Sequence, residues 1–184
     1  MASEWIKHFP YSKPRPQQNN AIESILESFK EKRFFGLEAG TGVGKSAIGL
    51  TVSKCIIENE EPIEGYEKGA IFVTTQKILQ DQYEKDFSSI GMSSIKSSSN
   101  YTCSFKKFRS CAEGQAELQT TEKGTKQWNV CNFNCTYRKA KQKFIDSHLS
   151  VTNFPYLMTE ANYNGKIKPR QLLIIDEAHN VTSE

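Results

Sequence analysis

The segment from Ala39 to Ser46 has the residue types and spacing of a phosphate-binding loop, except that alanine stands at its first position. Its glycines let the backbone curl so that successive N–H groups point at phosphate oxygens. Lys45 supplies a mobile cation for the β- and γ-phosphates, and the Ser46 hydroxyl is a ligand for Mg²⁺. The other residues expected to surround the phosphates are Gly40, Thr41, Gly42, Val43 and Gly44. The alternative is a glycine turn with an incidental lysine, which the predicted order of strand, loop and helix disfavours.

An acidic pair, Asp176-Glu177, follows the apolar run 171–175. If that run is a parallel strand, both carboxylates lie at the carboxyl edge of the sheet, where ligands of such folds bind. Asp176 is then expected to hold Mg²⁺ through a water molecule, and Glu177 is the candidate general base for an attacking water. A strand that simply ends in an exposed acidic turn is the alternative, and the presence of a phosphate loop argues against it.

Four cysteines are spaced C-x7-C-x19-C-x3-C, at Cys103, Cys111, Cys131 and Cys135. Thiolates bind zinc or iron–sulfur clusters, and four are needed for a tetrahedral zinc or a cubane cluster. The spacing alone leaves zinc and iron open, and simple buried thiols are a third possibility. The fifth cysteine, Cys55, lies on the apolar face of a predicted helix and is expected to serve packing.

The chain carries a local excess of positive charge around these cysteines. Residues 100–150 hold nine Lys or Arg against four Asp or Glu, whereas the formal charge of the whole chain is +3. Cations follow phosphates and aromatic rings stack on bases, so this composition predicts a nucleic-acid surface with Lys106, Lys107 and Arg109 as contacts. A solvated surface is the alternative. The aromatic residues of this stretch are Tyr101, Phe105, Phe108, Trp128, Phe133, Tyr137 and Phe144.

The composition is that of an ordinary globular protein. Of 184 residues, 37% are hydrophobic and 24% are charged, which suggests one domain with an insert. Eleven glycines and six prolines exclude collagen-like and low-complexity classes. We see no membrane span and no secretory signal, so we expect a cytoplasmic or otherwise reducing location, where disulfides are rare.

The hydrophobic pattern predicts strands that alternate with helices. The helices are expected at 16–31, 45–59, 78–87 and 155–163, and the strands at 34–38, 70–74, 148–153 and 171–175, with a loop over 88–99. The buried face of the second helix is expected to consist of Ile48, Val52, Cys55 and Ile56. Continuous apolar strands between helices imply an α/β fold with a parallel sheet that is covered on both faces.

These motifs together resemble the superfamily-two helicases, and within them the XPD/DinG branch. Residues 176–179 match the DEAH box, and alanine at the first position of the phosphate loop is usual there. The run 15–18, Arg-Pro-Gln-Gln, looks like the R-P-x-Q element of this family. The resemblance implies that Arg15 and Gln18 bind the nucleotide and that Gln18 contacts the adenine. Residues 100–103 resemble the N-Y-x-C start of the iron–sulfur domain.

The segment 74–82 is similar to motif Ia, which contacts the DNA backbone in this family. The resemblance therefore implies DNA contacts by Thr74, Thr75 and Gln80. By the same resemblance, His179 couples the nucleotide state to DNA.

The resemblance also implies a fold and a domain plan. The fold is a P-loop NTPase with a RecA-like parallel sheet, here an incomplete first helicase domain, with a small inserted iron–sulfur domain. The expected divisions are 1–98 for the first part of the RecA-like domain, 99–146 for the insert and 147–184 for the return. The position of the four cysteines favours a [4Fe–4S] cluster over zinc.

The implied activity is ATP-dependent DNA unwinding of 5′→3′ polarity, in which Mg-ATP hydrolysis drives translocation on single-stranded or forked DNA. The later motifs of the family would lie beyond residue 184, so a second RecA-like domain is an expected partner and this chain alone is expected to be inactive. The location would be the nucleoid, or the nucleus in a eukaryote. Two alternatives remain: a nucleic-acid-binding iron–sulfur or zinc module with a vestigial ATP site, and a P-loop ATPase unrelated to nucleic acid.

Overall fold

The computed structural model describes residues 4–165 and 167–183, in which helices and strands alternate. The α-helices are α1 (Pro16–Ser28), α2 (Lys45–Asn59), α3 (Lys77–Phe87), α4 (Cys111–Leu118), α5 (Lys126–Phe133), α6 (Thr136–Asp146) and α7 (Phe154–Thr159). The strands are β1 (Glu67–Thr74), β2 (Met92–Ser94), β3 (Leu149–Asn153) and β4 (Arg170–Ile175). Short 3₁₀ turns cover Glu4–His8, Ser88–Ile90, Ser98–Asn100 and Ala178–Ser183, and a wide π-helical turn covers Glu160–Asn164.

The four strands form one parallel sheet in the order β2-β3-β1-β4. Met92 lies opposite Leu149 and Ser94 opposite Val151 in the parallel pairing of β2 with β3. Strands β2 and β3 are consecutive in the chain, whereas β1 lies between β3 and β4 in the sheet. The residues between β2 and β3 include helices α4, α5 and α6, as a crossover connection between parallel strands requires. The expected α/β class with a parallel sheet is confirmed, and the sheet is consistent with a RecA-like helicase domain.

The chain divides into two compact units. The first contains Met1–Ala70 and Pro169–Ile174, and the second contains Ile71–Lys168 and Ile175–Glu184. The division crosses β1 and β4, so it does not follow the domain limits at 98 and 146 that the sequence suggested. Those limits stay a prediction.

The core of the first unit forms between α1, α2 and the turn at Glu4–His8. Trp5, Ile22 and Ile48 are buried there in one apolar cluster. Helix α2 has the predicted bounds, and all four residues of its predicted face are buried. Cys55 belongs to this face, and burial raises the pKa of its thiol to about 11, so it packs as a neutral side chain.

The core of the second unit contains residues from the sheet and from the cysteine-rich segment. Ile71 and Val73 of β1 belong to the same buried cluster as Phe144 of α6 and the cysteines Cys111 and Cys135. The cysteine-rich segment therefore shares a core with the strands of its unit. This shared core explains how a polar segment with few aliphatic residues is held in place.

The predicted strand at residues 34–38 is wrong. The segment has no regular secondary structure and is not part of the sheet that the described residues form. Phe34 is 88% exposed, and Phe35 and Leu37 are exposed as well. A strand needs hydrogen-bonded neighbours, and apolar residues alone do not supply them.

Three further expectations need correction. The serine-rich stretch 88–99 is not only a loop, because it contains β2, which is too short to show an alternating pattern. The helix expected over 155–163 is α-helical only to Thr159 and continues as the π-helical turn. The sheet is covered on both faces at β1, but β4 exposes Leu173 and Ile175.

No helix among the described residues is long and apolar enough to cross a membrane.

Loss of the Phe144 side chain should destabilise the protein strongly. The ring is almost fully buried, so Phe144→Ala removes its apolar contacts and leaves a cavity, at a cost of about 3–5 kcal/mol. The matched control is Phe133→Ala, because Phe133 is 67% exposed. Chemical denaturation measures both variants. Equal unfolding free energies for the two would contradict the assignment of Phe144 to the core.

Candidate functional site

The phosphate loop leads directly into α2 in the first unit. Gly42 and Gly44 have φ angles of +77° and +85°, in the left-handed region that side chains rarely adopt. Gly44 is the residue that caps the helix, and Lys45 is its first residue. The first N–H groups of this 15-residue helix and the positive end of its dipole therefore lie at the loop, as an anion site requires.

Two side chains at the start of α1 hold the loop by its carbonyl groups. Arg15 Nη1 donates to the Gly42 carbonyl oxygen at 2.7 Å, and Gln18 Nε2 donates to that of Val43 at 2.9 Å. Gln18 Oε1 in turn accepts from the Arg15 backbone N–H at 2.8 Å. Bonds to the carbonyls leave the loop N–H groups available for phosphate.

We call the hydrogen bonds of Arg15 and Gln18 to the loop carbonyls the clamp. The clamp explains why glycine is needed at position 44. A Cβ atom at Gly44 would lie 2.5 Å from Gln18 Nε2, which is closer than real Cβ contacts. Gln18 is itself buried, and its oxygen and one amide hydrogen are used inside the protein. The adenine contact expected of Gln18 stays a prediction.

A cavity of about 330 Å³ opens beside this clamp within the first unit. Its lining residues are Phe9, Tyr11, Lys13, Arg15, Gln18 and Gly44. Phe9 and Tyr11 meet edge to face with ring centroids 6.0 Å apart, and Tyr11 is exposed. No sequence motif marked Phe9, Tyr11 and Lys13, although aromatic residues a few positions before Arg15 were a usable signal.

The acidic pair lies at the end of β4, in the second unit. The Asp176 N–H donates to the Val73 carbonyl oxygen at 2.9 Å, which continues the sheet pairing to this residue. The Asp176 carboxylate accepts two hydrogen bonds at 3.0 Å, one from the Tyr83 hydroxyl to Oδ2 and one from the Glu177 N–H to Oδ1. The carboxylate is therefore held from both sides.

Glu177 has a strained backbone. Its φ of +54° makes it the one non-glycine residue with a positive φ in the described part of the chain. Such a conformation costs on the order of 1–3 kcal/mol and persists where the surroundings enforce it, often at functional sites. The Glu177 carboxylate lies 3.5 Å from His179 Nε2.

Two of the three residues from which motif Ia predicts DNA contacts, Thr74 and Gln80, have buried side chains that bond within the protein. Gln80 is fully buried, its Nε2 donates to Ser94 Oγ and to the Ile95 carbonyl oxygen, and its Oε1 accepts from Asn153. Thr74 is also fully buried, and its hydroxyl donates to the Gln76 carbonyl oxygen. Both side chains are used inside the protein in this structure, and the DNA contacts expected of them stay a prediction.

The third of these residues, Thr75, stands apart. Its hydroxyl oxygen is buried and has no hydrogen-bond partner among the residues that the structure describes.

The four cysteines of the C-x7-C-x19-C-x3-C pattern come together in the second unit. All four side chains are buried and unoxidised, and the sulfurs of Cys111 and Cys135 are 3.4 Å apart. The Lys106 backbone N–H donates to Cys103 Sγ at 3.3 Å. Gly114 leaves room for that sulfur, because a Cβ there would lie 2.7 Å from it.

Burial and the neighbouring cysteines raise the pKa of two of these thiols. Burial, then the hydrogen bond with Cys135 and the charges of the other three cysteines, raise the pKa of Cys111. Burial and the charges of Cys103 and Cys135 likewise raise the pKa of Cys131. Within residues 4–165 and 167–183, however, no group of three or more His, Cys, Asp or Glu side chains is arranged so that it could hold a metal ion.

The basic segment combines exposed rings with neutralised cations. Phe108 is 83% exposed, and the Arg109 guanidinium lies over its ring, 5.8 Å from the centroid. Lys106 and Arg109 both form ion pairs with Glu117, and the bond from Lys106 holds the pKa of that carboxyl below its usual range. DNA phosphates would therefore compete with Glu117 for two of the three cations predicted from the sequence.

The aromatic residues of this segment divide by position. Tyr101 and Tyr137 contact each other at 5.5 Å between centroids and pack with the core, as does Phe144. Phe108 and Phe133 are exposed, and Phe133 meets Trp128 edge to face at 5.8 Å.

The candidate site residues are divided between the two units. The loop lies with Arg15 and Gln18 in the first unit, whereas the acidic pair and the four cysteines belong to the second.

Comparison with known protein families gives one match. A family described as type III restriction enzyme, res subunit, matches residues 11–184, which is most of the chain. No curated protein matches. The chain belongs to this family, and the matched region is a superfamily-two helicase-like N-terminal domain of an ATPase. The resemblance to superfamily-two helicases is confirmed at this level, and the iron–sulfur branch stays a prediction.

Substitution of Gly44 should weaken nucleotide binding more than substitution of another glycine nearby. Gly44→Ala forces a side chain against Gln18 at a positive φ, which displaces the loop. We expect a loss of affinity on the order of tenfold, equivalent to ~1.4 kcal/mol. The control is Gly36→Ala, where the new Cβ meets no atom within 4 Å. Titration with a fluorescent ATP analogue and Mg²⁺ measures both, and equal affinities would refute the clamp.

Proposed function

We propose that this chain is the ATP-binding part of a DNA helicase or translocase, and that it binds Mg-ATP and single-stranded DNA. The observation that carries the proposal is the pair of hydrogen bonds from Arg15 and Gln18 to the carbonyls of a left-handed glycine loop at a helix start. This arrangement turns the loop N–H groups outward, which suits a polyphosphate. Membership of a superfamily-two ATPase family supports the same ligand.

Each end of the nucleotide has a candidate site. The triphosphate would lie against the loop, with Lys45 neutralising charge and Ser46 binding Mg²⁺. The base would occupy the cavity beside Tyr11 and Gln18, where an exposed aromatic ring offers a stacking surface. The position of Arg15, bonded to the loop and lining the cavity, suits a residue between base and phosphates.

The acidic pair would supply the chemistry at the γ-phosphate. Asp176 would hold Mg²⁺ through water, because its carboxylate is fixed by two donors and keeps lone pairs for a ligand. Glu177 would orient and polarise the attacking water as a general base. Its strained backbone supports a functional role, since strain of this kind is retained where geometry matters. His179, 3.5 Å from Glu177, is the candidate link to nucleic acid.

The DNA surface is proposed for the basic segment. Phe108 and Phe133 are exposed rings on which bases can stack, and Lys107 and Arg109 flank the first of them in the chain. A 5′→3′ polarity, unwinding of forked DNA and a second RecA-like domain as partner come from the family resemblance. Thr75 remains a candidate backbone contact.

We also propose that the four clustered cysteines bind a metal centre, a [4Fe–4S] cluster, with zinc as the alternative. Four buried thiols, an N–H donor to one sulfur and the space left by Gly114 suit a thiolate-bound centre. The sulfurs would need to rearrange, since the present spacing does not form a metal site. Such a centre would cross-link the basic segment and thereby fix its exposed rings.

Replacement of Lys45 tests the ATP site and the DNA surface in one experiment. Lys45→Ala should abolish measurable Mg-ATP binding, because the phosphates lose their cation. It should leave the affinity for a single-stranded oligonucleotide unchanged. Lys54→Ala, on the same helix outside the loop, is the matched control and should bind both ligands normally. Fluorescence titrations at several salt concentrations measure both affinities.

The outcomes of that experiment separate the alternatives. DNA affinity that falls with salt supports the proposed surface, since counterion release makes such binding salt-dependent. A chain that binds DNA but never binds ATP would be a nucleic-acid module with a vestigial site. ATP binding without any DNA affinity would instead indicate an ATPase unrelated to nucleic acid.

Metal analysis tests the cysteine centre. Protein purified without oxygen should contain iron and acid-labile sulfide, and Cys111→Ser should lose most of both. Cys55→Ser is the matched control, because Cys55 is buried in the core of the first unit and should not affect the metal content. Zinc in place of iron would select the alternative, and absence of both metals from the wild type would refute the proposal.

A further inference from the structure

A buried tyrosine touches the carboxylate that is proposed to serve Mg²⁺. Tyr83, on helix α3, is almost fully buried, and its hydroxyl donates to Asp176 Oδ2 at 3.0 Å. Neither the sequence motifs nor the family match assigns a role to Tyr83. Both residues belong to the second unit.

The position of the Tyr83 ring is fixed by aromatic packing. Its centroid lies 5.4 Å from that of Phe72 on β1 and 5.9 Å from that of Phe87 at the end of α3. Both phenylalanines are themselves buried. Because the ring has little freedom to move, the hydroxyl presents its hydrogen bond from a fixed point.

Asp176 depends on this hydrogen bond for its orientation. Its backbone is anchored by the bond to Val73, and its Oδ1 accepts from the Glu177 N–H. The Glu177 bond is made by the neighbouring residue and fixes one oxygen only. The Tyr83 bond holds the other oxygen, so the rotation of the planar carboxylate is restrained from both sides, and loss of the hydroxyl leaves it restrained from one side only. A carboxylate has about four acceptor sites, so lone pairs on both oxygens remain for metal-bound water.

We propose that Tyr83 is a positioning residue that orients the Asp176 carboxylate for Mg²⁺ in the nucleotide complex. The inference rests on the proposed function, in which Asp176 serves that metal ion. Without the hydroxyl, the carboxylate rotates between several orientations, and the metal complex must restrict that motion each time it forms. Tyr83 therefore strengthens the Mg²⁺-dependent part of nucleotide binding and leaves the metal-free part unchanged.

The test compares two buried tyrosines. Tyr83→Phe removes the hydroxyl bond to Asp176, and Tyr156→Phe removes the hydroxyl contact of 3.0 Å between Tyr156 and Tyr137, so that both variants lose one buried hydroxyl. Asp176→Asn reports the loss of the carboxylate itself. Nucleotide affinity is measured with a fluorescent ATP analogue, both in Mg²⁺ titrations and in excess EDTA. Binding of Mn²⁺ in the presence of ATP, followed by electron paramagnetic resonance, gives a direct second readout.

We expect Tyr83→Phe to raise the Mg²⁺ and Mn²⁺ concentrations for half-saturation by about fivefold, the value of one typical hydrogen bond. Its affinity for the nucleotide in EDTA should equal that of the wild type. Tyr156→Phe should match the wild type in every metal titration, and Asp176→Asn should lose more than Tyr83→Phe. A Phe87→Leu variant, which disturbs the packing of the ring but keeps the hydroxyl, should lower the thermal midpoint and preserve the metal dependence.

Two kinds of failure are distinguishable. If Asp176→Asn weakens metal binding while Tyr83→Phe behaves like Tyr156→Phe, the positioning role is wrong and the proposed function stands. The positioning role is also wrong if Phe87→Leu weakens metal binding as much as Tyr83→Phe, because packing and not the hydroxyl would then be responsible. If the wild type shows no metal-dependent binding, or Asp176→Asn equals the wild type, the assignment of Asp176 in the proposed function fails first.

Discussion

The phosphate loop depends on a constraint that lies outside it, the hydrogen bonds by which α1 holds two of its carbonyl groups. A glycine-rich loop has high conformational entropy, and its N–H groups bind an anion only if they are already turned outward. Arg15 and Gln18 provide that order by bonding the carbonyls of Gly42 and Val43. The positive φ of Gly44 and the start of α2 follow from the same geometry. The conformation of the loop that we propose as the nucleotide site is therefore held by residues at the start of the helix that precedes it in the chain.

The acidic pair is also held by a hydrogen bond from a residue outside it. The end of a strand supplies Asp176, the backbone of Glu177 leaves the allowed region for most residues, and a tyrosine from α3 fixes the second carboxylate oxygen. Buried polar groups are costly unless they are bonded, so a hydroxyl in this position has a partner for energetic reasons as well as functional ones. Aromatic packing holds the Tyr83 ring in place, and its hydroxyl therefore restrains the orientation of the Asp176 carboxylate.

The cysteine-rich segment obtains its order from two sources. Its helices share a core with the strands of their unit, and Tyr137, Phe144 and two of the cysteines belong to that core. The exposed residues on its surface are mostly polar, charged or aromatic. The proposed metal centre would add the missing cross-links where apolar burial ends. Two rings of this segment, Phe108 and Phe133, are exposed, although Arg109 lies over the first and Trp128 contacts the second.

The sequence determined the parts of this protein that follow from local rules. The bounds of α2, its buried face and strands β1 and β4 were predictable, because hydrophobic periodicity and glycine spacing are local. The superfamily followed from the resemblance of the motifs to a known family, and the hydrogen bonds of Arg15 and Gln18 to the loop carbonyls were not predicted. Only the tertiary structure decided which side chains are accessible. It buried Thr74 and Gln80, paired Lys106 and Arg109 with Glu117, left residues 34–38 without a strand partner and brought Tyr83 to Asp176. Some of these contacts join residues far apart in the chain, such as Tyr83 and Asp176, and others join near neighbours such as Arg109 and Glu117. In both cases a sequence pattern does not specify which neighbours a side chain meets.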